Sequence, residues 1–147
     1  MTKTDSIYQQ LSHIECLEHL ASRSFGRIAV LDDGRPLIFP VNYALDGDTV
    51  VFRSDIGTKF SAAVLGRVAF EIDGVDEDAQ TGWSVIVQGV GYELIAAHDA
   101  RSAQLHQLDL EPWVPGDKVR WVAVRADTIS GRKLRDRKPF ESPWSDR

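Results

Sequence analysis

One cysteine, Cys16, is the only thiol in this sequence, so the chain cannot close a disulfide within itself. That suits a reducing compartment. It also leaves no CxxC pair for dithiol redox chemistry. No apolar run approaches the roughly 18 residues that a membrane helix needs. The polar opening stretch, Met1 to Gln10, lacks the apolar core of a signal peptide. The expected location is therefore the cytoplasm, with no membrane partner. An excess of positive charge is missing too. Lys and Arg number 17 against 22 Asp and Glu, a net charge of −5, whereas a nucleic-acid binder needs a basic footprint. The GxSxG, HExxH, GxGxxG and GxxxxGK[ST] signatures are all absent. The histidines are four: His13, His19, His98 and His106. His13 and His19 stand three residues either side of Cys16 on a helical stretch, where they fan over roughly 120°. A metal needs ligands that converge on one point, so a polar helix face accounts for them better and no metal is expected.

What is present suits a globular fold. A hydrophobic fraction of 43% and a charged fraction of 27% are those of a folded protein rather than a disordered one. The 147 residues correspond to one domain, 1–147. A domain of that size hides about two-thirds of its unfolded surface, so it needs no metal or disulfide staple. The charge is uneven. Arg132, Lys133, Arg135, Arg137 and Lys138 oppose only Asp136, which makes 131–147 a basic tail. Such a run is either solvated or supplies a cation to a phosphate in an assembly.

The pattern opens with a helix. Ser6 and Gln9 have capping-box spacing, and Ile7, Leu11, Ile14, Leu17 and Ala21 form an apolar face. Strands follow at Arg27–Leu31, Pro36–Leu45 and Thr49–Arg53, joined by tight turns at Asp32-Asp33-Gly34 and Asp46-Gly47-Asp48. A short helix is expected at Gly57–Leu65, a strand at Arg67–Asp73 and an acidic loop at Gly74–Thr81. A long strand, Gly82–Ala97, contains Gly89 and Gly91, which mark a bulge or a barrel bend. A helix over His98–Leu108, a proline loop at Glu111–Gly116 and a strand at Lys118–Ile129 complete the chain. Six antiparallel strands with short turns favour a barrel, mainly β with a few helices.

Three segments carry the chemistry. Phe52-Arg53-Ser54 with Gly57-Thr58-Lys59 is a strand end, a turn and a helix start. Two cations, two hydroxyls and a close-approach glycine are the parts of a phosphate cradle. The plainer account is that Thr58 caps the helix and Lys59 is solvated. Pro40 lies mid-strand in Ile38–Tyr43, so that strand is at an edge or bulged there. Beside an anion site, Pro40, Val41 and Asn42 then offer backbone for a planar ring to dock on; an ordinary edge strand is the plainer account. Trp83 is able to stack on a ring and Ser84 to donate to its polar edge, although most tryptophans are core or interface residues.

Taken in order, these segments resemble the pyridoxamine 5′-phosphate oxidase-like flavin-binding split barrels, above all the short bacterial branch with nitroimidazole-reductase-like members. The resemblance rests on Gly26–Val30, Arg35–Tyr43, Phe52–Ser54 with Gly57–Lys59, Val68–Asp73 and Gly82–Val85. It spans about residue 10 to residue 130. It implies a six-stranded antiparallel split β-barrel, a homodimer, and an FMN site at the subunit interface. Phe52, Arg53, Ser54, Gly57, Thr58 and Lys59 would then hold the phosphate. Pro40, Val41 and Asn42 would lie against the isoalloxazine ring, and Trp83 and Ser84 would join the site from the same or the other subunit. The expected activity is reduction of a small organic acceptor. Relatives of this fold also use F420 or haem, so an F420-dependent reductase and a non-catalytic flavin- or haem-binding protein are the alternatives. The sequence departs from the oxidase itself in its C-terminal region and in a less basic phosphate turn. A flavin carries its own redox chemistry, so the absence of an acid–base motif does not weigh against this reading.

Overall fold

The computed structural model describes residues 8–55, 57–64 and 66–135; the side chains of Thr58 and Lys59 lie outside the described residues. Seven strands and three short helices follow one another as β1 (Tyr8–Gln10), α1 (His13–Ala21), β2 (Phe25–Asp32), β3 (Arg35–Asp46), β4 (Thr49–Ser54), α2 (Thr58–Ala63), β5 (Arg67–Asp76), β6 (Thr81–Glu93), α3 (Ala100–Leu105) and β7 (Arg120–Leu134).

Six of the strands close a ring. The order is β7-β4-β3-β2-β5-β6, and β6 pairs back onto β7, every pairing antiparallel. This is the mainly β, six-stranded split barrel that the sequence pattern and the resemblance both lead to. Local chemistry sets much of it. Asp33 and Gly34 take φ of 51° and 74° between paired Asp32 and Arg35, the left-handed pair that a two-residue hairpin requires. The register of β6 against β7 shifts between Gln88 and Gly89, so the strand glycine does mark a bulge.

Alternation along β4 builds two cores. Val50 and Phe52 point into the ring with Ile28, Tyr43, Phe70, Val85 and Val122. Val51 points outward and packs with Leu94, Leu105, Leu110, Trp121 and Ala123, the layer beneath α3. Helix α1 adds Cys16 and Leu20 to the ring core, and the Tyr43 hydroxyl donates to the Leu20 carbonyl.

The beginning of the chain differs from expectation. Tyr8–Gln10 is not helical but forms β1, pairing with Arg132–Leu134 of β7. The capping box is Ser12 with Glu15: Glu15 N donates to Ser12 Oγ at 3.2 Å and Ser12 N donates to Glu15 Oε1 at 2.9 Å. The Ser12 N–H, followed by the Ser12 hydroxyl, holds the Glu15 carboxyl below its ordinary range. Ser6-x-x-Gln9 and Ser12-x-x-Glu15 fit the same pattern, and the free edge of β7 decides between them. The later start turns the buried face onto Cys16 and Leu20, one turn apart, and leaves Ile14 67% exposed. Cys16 is thus a core residue, its thiol pushed up by burial, and not part of a polar face. Two further boundaries move. Strand β5 runs on to Asp76, so Gly74–Asp76 are not loop. Strand β7 takes in Gly131–Leu134, so the basic tail begins later than 131; residues 136–147 lie outside the described residues. Among the described residues no helix is long and apolar enough to cross a membrane.

Candidate functional site

Strand β3 pairs with β2 from Phe25↔Asn42 to Asp32↔Arg35, but with β4 only from Tyr43 to Asp46. The half that carries Pro40 and Val41 therefore has an open edge, as the proline requires: with no N–H, it leaves no donor unpaired there. A cavity of about 220 Å³ lies along this edge. It brings together five of the residues expected from the sequence: Pro40, Val41, Asn42, Arg53 and Ser54. Phe52 is fully buried inside the ring, so only its main chain is available to the site. The main chain of Gly57 caps α2 without a side-chain hydrogen bond, which sets aside Thr58 as the cap.

The rest of the cavity wall lies outside the expected cofactor-binding residues. Asp55, Pro112, Trp113, Val114 and Lys118 line it, with Phe25 and Phe39. The segment 110–118 crosses the cavity as a strap, and the expected site residues hold it. Arg53 donates from Nε to the Lys118 carbonyl at 2.9 Å and from Nη1 to the Leu110 carbonyl at 3.0 Å. Its guanidinium lies 5.1 Å from the Trp121 ring centroid. Asn42 Oδ1 accepts from Trp113 N at 2.8 Å, and Asn42 Nδ2 donates to the Ser24 carbonyl at 3.4 Å. The Trp113 indole stacks on Phe25 at 5.3 Å and 9°. Lys118 Nζ pairs with Asp55 at 3.2 Å, and Ser54 Oγ donates to the Asp55 carbonyl at 2.9 Å. Arg53 and Lys118 against Asp55 leave one net positive charge at the cavity. Apolar walls beside a small cationic end can take a planar ring with an anionic tail.

Trp83 and Ser84 are elsewhere. They lie on β6, across the ring from β3, at two larger hollows of about 810 and 790 Å³ that flank the end of the β5–β6 hairpin. One face of Trp83 is already taken: His19 stacks on it at 3.9 Å and 23°. Its Nε1 edge sits over Gly74, where an added Cβ would come within 2.6 Å. Ser84 faces Asp73 in register, and Asp73 shares Arg27 with Glu71. Arg27 Nη1 is 3.4 Å from Asp73 Oδ2 and 3.5 Å from Glu71 Oε1. Burial first, then the Asp73 carboxylate, pushes the Glu71 carboxyl up to about 7.

Sequence reasoning did not name Phe25, Asp55, Trp113 and Lys118 as cofactor-binding residues, because no local pattern joins them to Pro40–Asn42 and Arg53. The one available signal was an aromatic next to two prolines, Pro112 and Pro115, in a loop.

Comparison with known proteins agrees with this fold. The uncharacterized protein Rv0080 of Mycobacterium tuberculosis is 30% identical over 131 residues, covering 85% of this chain and 84% of that protein. The FAD binding protein from Mycobacterium smegmatis superposes with a TM-score of 0.72 at 38% identity, over 86% of this chain and 98% of that one. A Corynebacterium diphtheriae protein of unknown function, DIP1874, gives 0.73 at 30% identity, over 88% and 99%. A model of the pyridoxamine 5′-phosphate oxidase family matches residues 12–133. The ring of six strands, the open edge at Pro40 and that match lead to one assignment: the chain belongs to the pyridoxamine 5′-phosphate oxidase family.

Proposed function

We propose that this chain is one subunit of a homodimeric, cytoplasmic flavoprotein that reduces a small organic acceptor. The observation that carries the reading is the convergence of Pro40, Val41 and Asn42 with Arg53 and Ser54 on one apolar-walled cavity. Arg53, Ser54 and Lys118 would hold the phosphate end, with Lys59 adding charge from the following turn. Pro40–Asn42 would lie along the ring. A flavin, when bound, supplies the redox chemistry itself. The protein's part is to place the ring, exclude water from it with the Phe25–Trp113 wall, and set its electrostatics through Arg53.

Two facts support a dimer. The cavity, about 220 Å³, is below the roughly 300–1,000 Å³ of ordinary ligand sites. Trp83 and Ser84 open on different hollows of the same chain, so a second copy would have to bring them to the ring. FMN is the cofactor that the phosphate-sized cradle suits. The FAD-binding Mycobacterium smegmatis relative supports FAD as a second reading.

Purified full-length protein tests this directly. The expected result is a yellow dimer in sedimentation that releases FMN or FAD on denaturation and turns over NAD(P)H with a quinone or nitroaromatic acceptor. Arg53→Ala together with Lys59→Ala should abolish retention, since each removes a charge-assisted contact of about 1.5–3 kcal/mol. Colourless protein that takes up F420, or a Soret band, would overturn the flavin assignment. Unchanged retention in the double variant would overturn the phosphate assignment.

A further inference from the structure

The hollow of about 810 Å³ beside Trp83 enters the reading above only through Trp83; the cations around it have no part in that reading. Its lining collects three cations from separate parts of the chain: Arg23 just past α1, Lys133 near the end of β7, and Arg135 just past it. Asp76 is the one carboxylate in the lining. A balance of +2 is thus concentrated at one place on a protein of net charge −5. None of the three cations makes an ion pair with a described carboxylate.

Two of them are nonetheless held in position. Arg135 donates from Nε and Nη2 to Gln9 Oε1 at 2.9 and 2.8 Å, a bond across the β1–β7 pair. Arg23 lies 5.3 Å from the Trp83 ring centroid. Lys133 and Arg132 alternate along β7, so Lys133 serves this hollow while Arg132 lines the other. His19, stacked on the same indole, has its imidazole pushed below the ordinary range, by burial first and by Lys133 next. Like charges gathered on one hollow repel one another, and an anion in the hollow would offset that repulsion. The size is that of a nucleotide-sized site rather than of one phosphate. Two arginines and a lysine can share the oxygens of two linked phosphates, the arginines by paired N–H donors.

We propose that this hollow binds the pyrophosphate of a nucleotide, with Arg23, Lys133 and Arg135 as its ligands. Two sources offer that group: the adenylate half of a flavin dinucleotide, or a nicotinamide dinucleotide that delivers electrons. Assigning the source rests on the flavin reading; pyrophosphate binding does not.

The test is calorimetric titration of the purified full-length protein with ADP and, separately, with adenosine. Arg23→Gln with Lys133→Gln replaces two exposed cations and should leave the melting temperature unchanged. ADP is expected to bind, adenosine to bind at least tenfold more weakly, and the double variant to lose at least tenfold in ADP affinity. Arg23→Lys with Lys133→Arg should restore it. Higher salt should weaken the wild type more than the double variant. If adenosine binds as well as ADP, or the double variant binds ADP like the wild type, the proposal is overturned. Two further readouts name the source. Loss of FAD with FMN retained assigns the pyrophosphate to the flavin. A raised KM for NAD(P)H with flavin content unchanged assigns it to the donor. A colourless protein that still binds ADP would remove the flavin reading alone.

Discussion

Replacing Glu71 by Gln should stabilise this protein, and only above about pH 5. Glu71 and Asp73 lie two residues apart on one face of β5, and Arg27 of β2 is in register with Glu71. One guanidinium nitrogen therefore serves two carboxylates, at 3.5 and 3.4 Å. Glu71 Oε1 is buried and has no hydrogen bond. Burial, followed by the hydrogen bond and charge of Asp73, raises the Glu71 carboxyl from 4.5 to about 7. The folded chain thus holds this proton more tightly than the unfolded chain does. The contribution to stability is complete below about pH 4.5 and is lost as pH rises through 7. At about 1.36 kcal/mol per pH unit the ceiling is roughly 3 kcal/mol. The Glu71 side chain is 32% exposed, and solvent screening together with Arg27 reduces the effect to the order of 1 kcal/mol. Glutamine keeps the shape without the charge, and its amide can donate to Asp73. Urea melts from pH 4.5 to pH 8.5 should show wild type and Glu71→Gln equal at the acid end. At the alkaline end the variant should lead by about 1 kcal/mol, or roughly 2–4 °C in Tm for a domain of this size. A difference between the two proteins that does not change with pH would refute the argument.

Gly91→Ala should cost about 2 kcal/mol or more, because the new Cβ would stand 1.9 Å from the Ala63 carbonyl oxygen. Since α2 must move to relieve that clash, the loss should appear in thermal melting and, on the proposed flavin reading, in a lower cofactor content as well. Asn42→Ala removes the acceptor for Trp113 N and should cost about 1 kcal/mol; acrylamide quenching of Trp113 should rise, against a background in which the other three tryptophans are mutated singly. Ser12→Ala should cost about 1 kcal/mol by loss of the cap, whereas Ser6→Ala should be neutral; the reverse outcome in chemical denaturation would restore the earlier helix start. Cys16 should resist thiol reagents in the native protein and react once it is unfolded, as its complete burial requires.

The parts of the site that sequence reasoning reached are those whose chemistry is local. Pro40 announces an open edge because a proline has no ladder donor. Arg53 and Ser54 end a strand whose alternation is plain, and the cavity forms where those two signals meet. The structure added that Arg53 gives two of its N–H groups to the carbonyls of Leu110 and Lys118. The residue read as a phosphate ligand also fastens the strap, so its loss would disturb both. Trp113 and Lys118 were out of reach because they approach Asn42 and Asp55 only through ring closure, across more than sixty residues of chain.

By itself the sequence determined the turns and the strand alternation, since these follow from φ preferences and from period-two burial within a few residues, and the six-stranded ring entered through the family resemblance that the ordered segments carry. Tertiary structure alone decided which of two equivalent capping boxes starts α1, which face of that helix buries Cys16, and which strand the basic residues 132–134 join. In each case local propensity was nearly balanced. The free edge of β7 and the space left in the barrel core settled the choice, because pairing and burial over long sequence separations outweigh small differences in local preference.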